Sequence, residues 1–210
     1  MDNRKRYGFR LYKQLTGSGM SEVHRMIVAD AYAANPGGAG VIDINVGDPV
    51  VMANDGTVTV AAAAGVIWGV VVGIEQYWDS VKNVLWKGTG NKLPSGTTSA
   101  TIWERRSLVQ VQRVDSCLWE VDVDDIVTAT TQATYQALVG ENADFSWNTV
   151  VAEKRGWPML DISDHKAATA QWRIIQISET PENADFAGQW VKLIVQCNEV
   201  QSPPAQTAGI

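Results

Sequence analysis

The side chains with the most chemistry to offer are few and scattered. Asp161, Asp164 and His165 lie close together, a spacing that suits a small metal or acid–base site. Asp-x-Ser-Asp is equally turn chemistry, because short polar side chains bond nearby backbone N–H groups, and the turn is the preferred reading. Asp122, Asp124 and Asp125 offer carboxylate oxygens of the kind calcium takes, but without the EF-hand spacing; a solvated strand end is simpler. Gly88-Thr89-Gly90-Asn91-Lys92 has glycines and a lysine but not the pattern of a phosphate-binding loop. Histidine chemistry has only His24 and His165 to work with. Neither a Gly-x-Ser-x-Gly elbow nor a His-Glu-x-x-His helix occurs. No catalytic residue, metal or cofactor is assigned, and an enzyme is not expected.

Two other groups of residues suggest binding. The chain has nine tryptophans: Trp68, Trp78, Trp86, Trp103, Trp119, Trp147, Trp157, Trp172 and Trp190. Each combines a large apolar area with one polar N–H, which favours cores and interfaces. Most fall in strand-like alternation, so core or subunit contact is preferred over a sugar-stacking platform. Arg4, Lys5, Arg6, Arg10 and Lys13 crowd the N-terminus against Asp2 alone, beside Tyr7, Phe9, Leu11 and Tyr12. Such an arm suits nucleic acid or an acidic protein surface. The net charge of −6 and pI of about 4.9 favour the protein surface, since coating DNA needs the opposite balance.

These groups must be positioned by short strands. Residues 41–46 alternate with period two. Gly47-Asp48-Pro49 is a turn, residues 50–52 a strand, and Asn54-Asp55-Gly56 a hairpin signal before the alternation of 57–60. Residues 66–74 read as a strand buried on both sides, with glycines where another chain approaches closely. Residues 76–98 read as a connection. Strands follow at 101–103, 108–114, 118–123, 170–178 and 189–198, with a short helix at 131–138. Turn signals about every ten residues and almost no amphipathic helix argue an all-β architecture. Cys117 and Cys197 sit in apolar alternation and read as buried free thiols.

The chain of 210 residues allows one large or two small domains. We divide it into an extended N-terminal arm (1–36), a β-rich domain (37–112), a second β-rich region packed on the first (113–200) and a flexible tail (201–210). Charged residues make up only 19%, as expected where part of the surface is covered by partner protein. The longest apolar run, 58–74, is broken by three glycines, and no apolar stretch follows the N-terminal charges. The expectation is a protein made in a cytoplasm, without a membrane span or secretory signal.

At residues 41–75 the pattern becomes familiar. Asn45-Val46-Gly47-Asp48-Pro49-Val50, then Asn54-Asp55-Gly56-Thr57-Val58, an alanine-rich stretch and Ile67-Trp68-Gly69-Val70-Val71 resemble the head decoration (cement) proteins of tailed bacteriophages. The likeness extends to the Tyr7-Gly8-Phe9-Arg10 arm, the Arg173-Ile174-x-x-Ile177 segment, the Pro181-Glu182-Asn183 turn and the final strand at 191–199. The chain differs from the pattern in its tryptophan content and between Trp78 and Pro94. The resemblance implies β-sandwich or β-tulip-like domains, no catalysis, and a dimer or trimer bound to major capsid protein on the outer surface of the phage head. It implies no direct nucleic-acid or membrane partner. On this reading Arg4, Arg6, Tyr7, Phe9, Arg10, Leu11 and Tyr12 form a capsid-contact arm. Apolar members would anchor it and arginines meet capsid carboxylates, and deleting residues 2–20 is expected to leave a folded protein. The alternative is a carbohydrate-binding or adhesin-like β module of a virion or cell surface.

Overall fold

A computed structural model of the chain describes residues 8–15, 23–29, 44–79, 83–87, 92–93, 106–124, 131–147, 157–183, 186 and 191–201. Arg4, Arg6, Tyr7, Asp125, the 88–91 loop, the 101–103 strand, Trp103, Trp190 and most of the tail lie outside them. The class is all-β. Two β units share the described chain, each with an apolar cluster, the larger of which also takes in residues of the other unit.

The first unit is a small closed barrel. β2 (Val23–Val28), β4 (Pro49–Met52), β5 (Thr57–Val60), β6 (Gly69–Asp79) and β9 (Leu108–Arg113) hydrogen-bond in the order β4-β5-β2-β9-β6. β6 then pairs back to β4 through Pro49↔Val70 and Val50↔Gly69, which closes the ring. Only the β2–β5 contact is parallel. Pro49 opens its strand, where its missing N–H costs least. Asp55 builds the hairpin between β4 and β5 by accepting from Thr57 N at 2.9 Å and Thr57 Oγ1 at 2.7 Å. These bonds hold its carboxyl below the usual range. Inside the ring lie Val28, Val50, Val58, Trp68, Val71, Val109 and Val111. β7 (Val84–Lys87) pairs with the far end of β6.

The expected close approach at the strand glycines is real at Gly69. A Cβ there would overlap Val111 Cγ1 and stand 2.7 Å from Gln112 O. The strand itself is displaced from the expected 66–74. Val66 is 47% exposed, Ile67 bridges in parallel to Val200, and β6 runs on to Asp79, into the stretch read as a connection.

The second unit is a five-stranded antiparallel sheet ordered β1 (Arg10–Gln14), β10 (Cys117–Asp122), β15 (Lys192–Cys197), β14 (Trp172–Ile177), β11 (Asn142–Ala143). The hairpin of β12 (Phe145–Trp147) and β13 (Pro158–Leu160) packs with it. A further short pair joins β3 (Ile44–Asn45) to β8 (Lys92–Leu93). The short helix α1 (Gln132–Ala137) forms where expected, capped reciprocally by Thr131 and Thr134. Its Tyr135 is fully buried with Trp119, Trp172 and Phe145 in the second core. That core also takes in Ala61, Ile67 and Val70 from the barrel.

The described part of the expected arm departs from its reading. β1 belongs to the five-stranded sheet and β2 is a wall of the barrel. Both have lattices of backbone hydrogen bonds to satisfy, and sheet pairing does so without an outside partner. Asp122 is not at a solvated strand end either. It is 3% exposed and stands 3.7 Å from the buried Lys192. No helix among the described residues is long and apolar enough to cross a membrane.

Candidate docking surface on the edge strand

The segment leading into β1 is locked from both sides. Phe9 N donates to Gly47 O at 2.9 Å, and a Cβ on Gly8 would overlap that same oxygen. Gly47 itself has φ +97°, a conformation glycine adopts cheaply. Asp48, fully buried, accepts from Asn45 N at 2.7 Å to close the turn. Phe9 then enters the core. It stacks on Trp172 at 4.2 Å and meets Phe145 edge-on at 6.3 Å. At 3% exposure Phe9 is a core residue, which corrects its role as an outward anchor. Deleting residues 2–20 would therefore open the core as well as remove a surface.

Arg10 also has a structural task. Its guanidinium pairs with Glu120, which is 2% exposed and also accepts from Ser178 Oγ. A buried carboxylate stripped of its partner is costly, so Arg10, although its side chain is half exposed, is held by Glu120. Beyond it the strand pairs, among the described residues, on one side only, with β10, and its register slips at Tyr12. Leu11 is 36% exposed and Tyr12 and Leu15 are 46% exposed, with Lys13 exposed between them. An edge strand carrying a bulge and a lysine is poorly suited to pairing with its own copies. It still presents a run of apolar side chains with a cation among them.

The other candidates resolve into structure. Asp161 accepts from Ser163 N at 3.1 Å and Ser163 Oγ at 2.6 Å, the expected turn. Lys166 reaches Asp144 at 3.2 Å and Asp164 at 3.3 Å, and these bonds raise its pKa. His165 is exposed. Burial pushes the Asp124 carboxyl up, Ser146 Oγ bonding to it opposes the shift, and neighbouring Asp161 adds to it. Among the described residues no three His, Cys, Asp or Glu side chains gather to hold a metal. Cys117 and Cys197 are buried free thiols, as read from the alternation. Burial pushes the Cys197 thiol up to about 12, so it is protonated and a poor nucleophile at neutral pH.

No family model matches the chain, and no characterised protein or solved structure matches it. The site is thus weighed on its own geometry. Trp68, Trp119 and Trp172 are buried, and Trp78, Trp147 and Trp157 half-buried. Trp86 is 36% exposed and stacks with Tyr77 at 6.2 Å. β7, which carries Trp86 and the exposed Val84, was missed in the sequence. Val84, Leu85 and Trp86 are apolar in succession, so no alternation marks the strand.

Proposed function

We propose that this chain is a non-enzymatic structural protein of a virion, a cement protein that binds major capsid protein on the outside of a phage head and stabilises the shell. The observation that carries the reading is the exposed apolar set of Leu11 and Tyr12 on β1, an edge strand among the described residues, with Leu15 just past its end and its root, Phe9, fastened in the core. Loose apolar side chains would lose most of their binding free energy to ordering. Held on a sheet they are already ordered, so less entropy is lost on docking. A further support comes from the motifs of the resemblance. Tyr7-Gly8-Phe9-Arg10 and Gly47-Asp48-Pro49 are distant in sequence, yet Phe9 and Gly47 are joined by a hydrogen bond. Together they read as one joint of a common framework.

The physical role follows. A shell filled with DNA is weakest at the seams between its subunits. A stiff β body that holds two subunits at once resists their separation, and many copies multiply a modest affinity. A dimer or trimer suits symmetric seams. The test is co-sedimentation with expanded capsids lacking the protein, followed by heating. Saturable binding and a raised shell melting temperature are expected, because the protein binds only the intact shell. The double variant Tyr12→Glu, Leu15→Glu should keep its fold and bind at least about tenfold more weakly, the loss of a small interface hot spot. Wild-type protein left in the supernatant would overturn the reading. A second reading, a carbohydrate-binding or adhesin-like module, is favoured only by the Tyr77–Trp86 stack, and glycan arrays test it.

A further inference from the structure

The barrel wall carries apolar side chains on its outside that the core does not use. Ile27 on β2 lies opposite Leu108 on β9, Leu108 opposite Gln76 on β6, and Gln76 opposite Lys87 on β7. Partners directly across a ladder share a face, so these four cross four strands on one side. Their sequence neighbours Val28 and Val109 point into the barrel core, so this row faces out. The next pair along is Trp78 with Leu85. Ile27, Trp78, Leu85 and Leu108 floor a groove of about 640 Å³, and among the described residues the charged side chains lining it are the basic Arg25, Lys87 and Arg106. Gln76 fixes one wall by donating to Arg106 O at 3.0 Å. Glu75 pairs with Arg25 beside it.

We infer that this groove docks an extended acidic peptide segment of the partner protein, with an apolar side chain seated between Trp78 and Leu85 and carboxylates on the basic rim. The positive rim stands out on a chain of net charge −6, so charge complementarity selects an acidic occupant. A second copy docked groove to groove would set cation against cation across the two-fold axis. A phosphate backbone would meet the repulsion of the acidic remainder. The volume lies in the range of roughly 300–1,000 Å³ typical of sites for small ligands and short segments. That the partner is shell protein rests on the proposal above; the chemistry of the groove does not.

The experiment has two arms. In the first, isotope-labelled full-length protein is titrated with a short peptide alternating glutamate and leucine, with its lysine-for-glutamate counterpart, and with oligothymidine. The acidic peptide should move the amide resonances of 76–78, 84–87 and 106–108. Lys87→Glu, on an exposed position of an edge strand, should weaken it about tenfold while Lys87→Arg preserves it. Equal binding of the lysine peptide, preference for oligothymidine, shifts elsewhere or no shifts would each overturn the groove. In the second arm the same variants, matched in melting temperature, are sedimented with shells. Undiminished shell binding by Lys87→Glu would remove the shell protein as occupant. A wild type that binds the acidic peptide in the groove but no shells would overturn the cement reading and leave the groove standing.

Discussion

Gly8 leads into β1 and Gly65 lies between β5 and β6, yet only one of them is required by packing. A methyl on Gly8 would run into Gly47 O and stand 2.8 Å from Pro158 Cγ, whereas one on Gly65 would meet Ala62 Cβ at 3.5 Å, an ordinary contact. Backbone is the obstacle at Gly8, and backbone on a closed barrel cannot step aside. Gly8→Ala should cost about 1–3 kcal/mol, as overpacking does, while Gly65→Ala should stay within about 0.5 kcal/mol. Urea melts of the two variants check this, and equal midpoints would show that the Gly8–Gly47 joint yields. Single residues also explain where the arm reading went astray. Phe9 is as apolar as Leu11 and Tyr12, and nothing in the local sequence says which of them turns inward. The stack on Trp172, more than a hundred and sixty positions away, decides it.

Between elements, one amide carries much of the junction. Gln171, fully buried, donates from Nε2 to Ala62 O at 3.1 Å and to Gly65 O, and accepts at Oε1 from Phe145 N at 3.2 Å. It therefore ties the alanine-rich loop of the barrel to the start of β14 and to β12. Gln201 does similar work at the opposite end. It pairs with Met52 N and O, both at 2.7 Å, as a strand residue would. Gln171→Ala takes the partner from the buried Phe145 N and one partner each from the part-buried Ala62 and Gly65 carbonyls, and should cost about 1–3 kcal/mol. A loss under about 1 kcal/mol in denaturant titration would mean that water or a rearranged loop replaces the amide. Elements legible in the sequence are those that alternate or stand beside a clear turn signal: β4 and β5 flank Asn54-Asp55-Gly56, and β9, β10, β14 and β15 lie in longer strand-like stretches. β1 and β2 read as arm because their mix of apolar, aromatic and basic residues shows no clean alternation. The neighbours to which they hydrogen-bond lie far along the chain.

At the scale of the molecule, the two units share a core. Ala61, Ile67 and Val70 of the barrel lie in the same apolar cluster as Trp119, Trp172 and Leu193 of the five-stranded sheet. Neither unit can open without exposing part of the other's interior. A single cooperative unfolding transition is expected, with calorimetric and van't Hoff enthalpies agreeing. Two resolved transitions would show that the junction is a hinge, which a protein proposed to brace a seam could not afford. Composition and alternation by themselves determined the all-β class, the buried thiols and the main turns, because each depends on neighbours within a few positions. Only the tertiary structure decided that the barrel closes through β4 and β6, that Phe9 and Arg10 serve the interior, and that Ile27, Trp78, Leu85 and Leu108 meet in one groove. Those outcomes depend on strands paired across long loops. A local pattern shows which faces of a strand are apolar, but not which other strand will cover them.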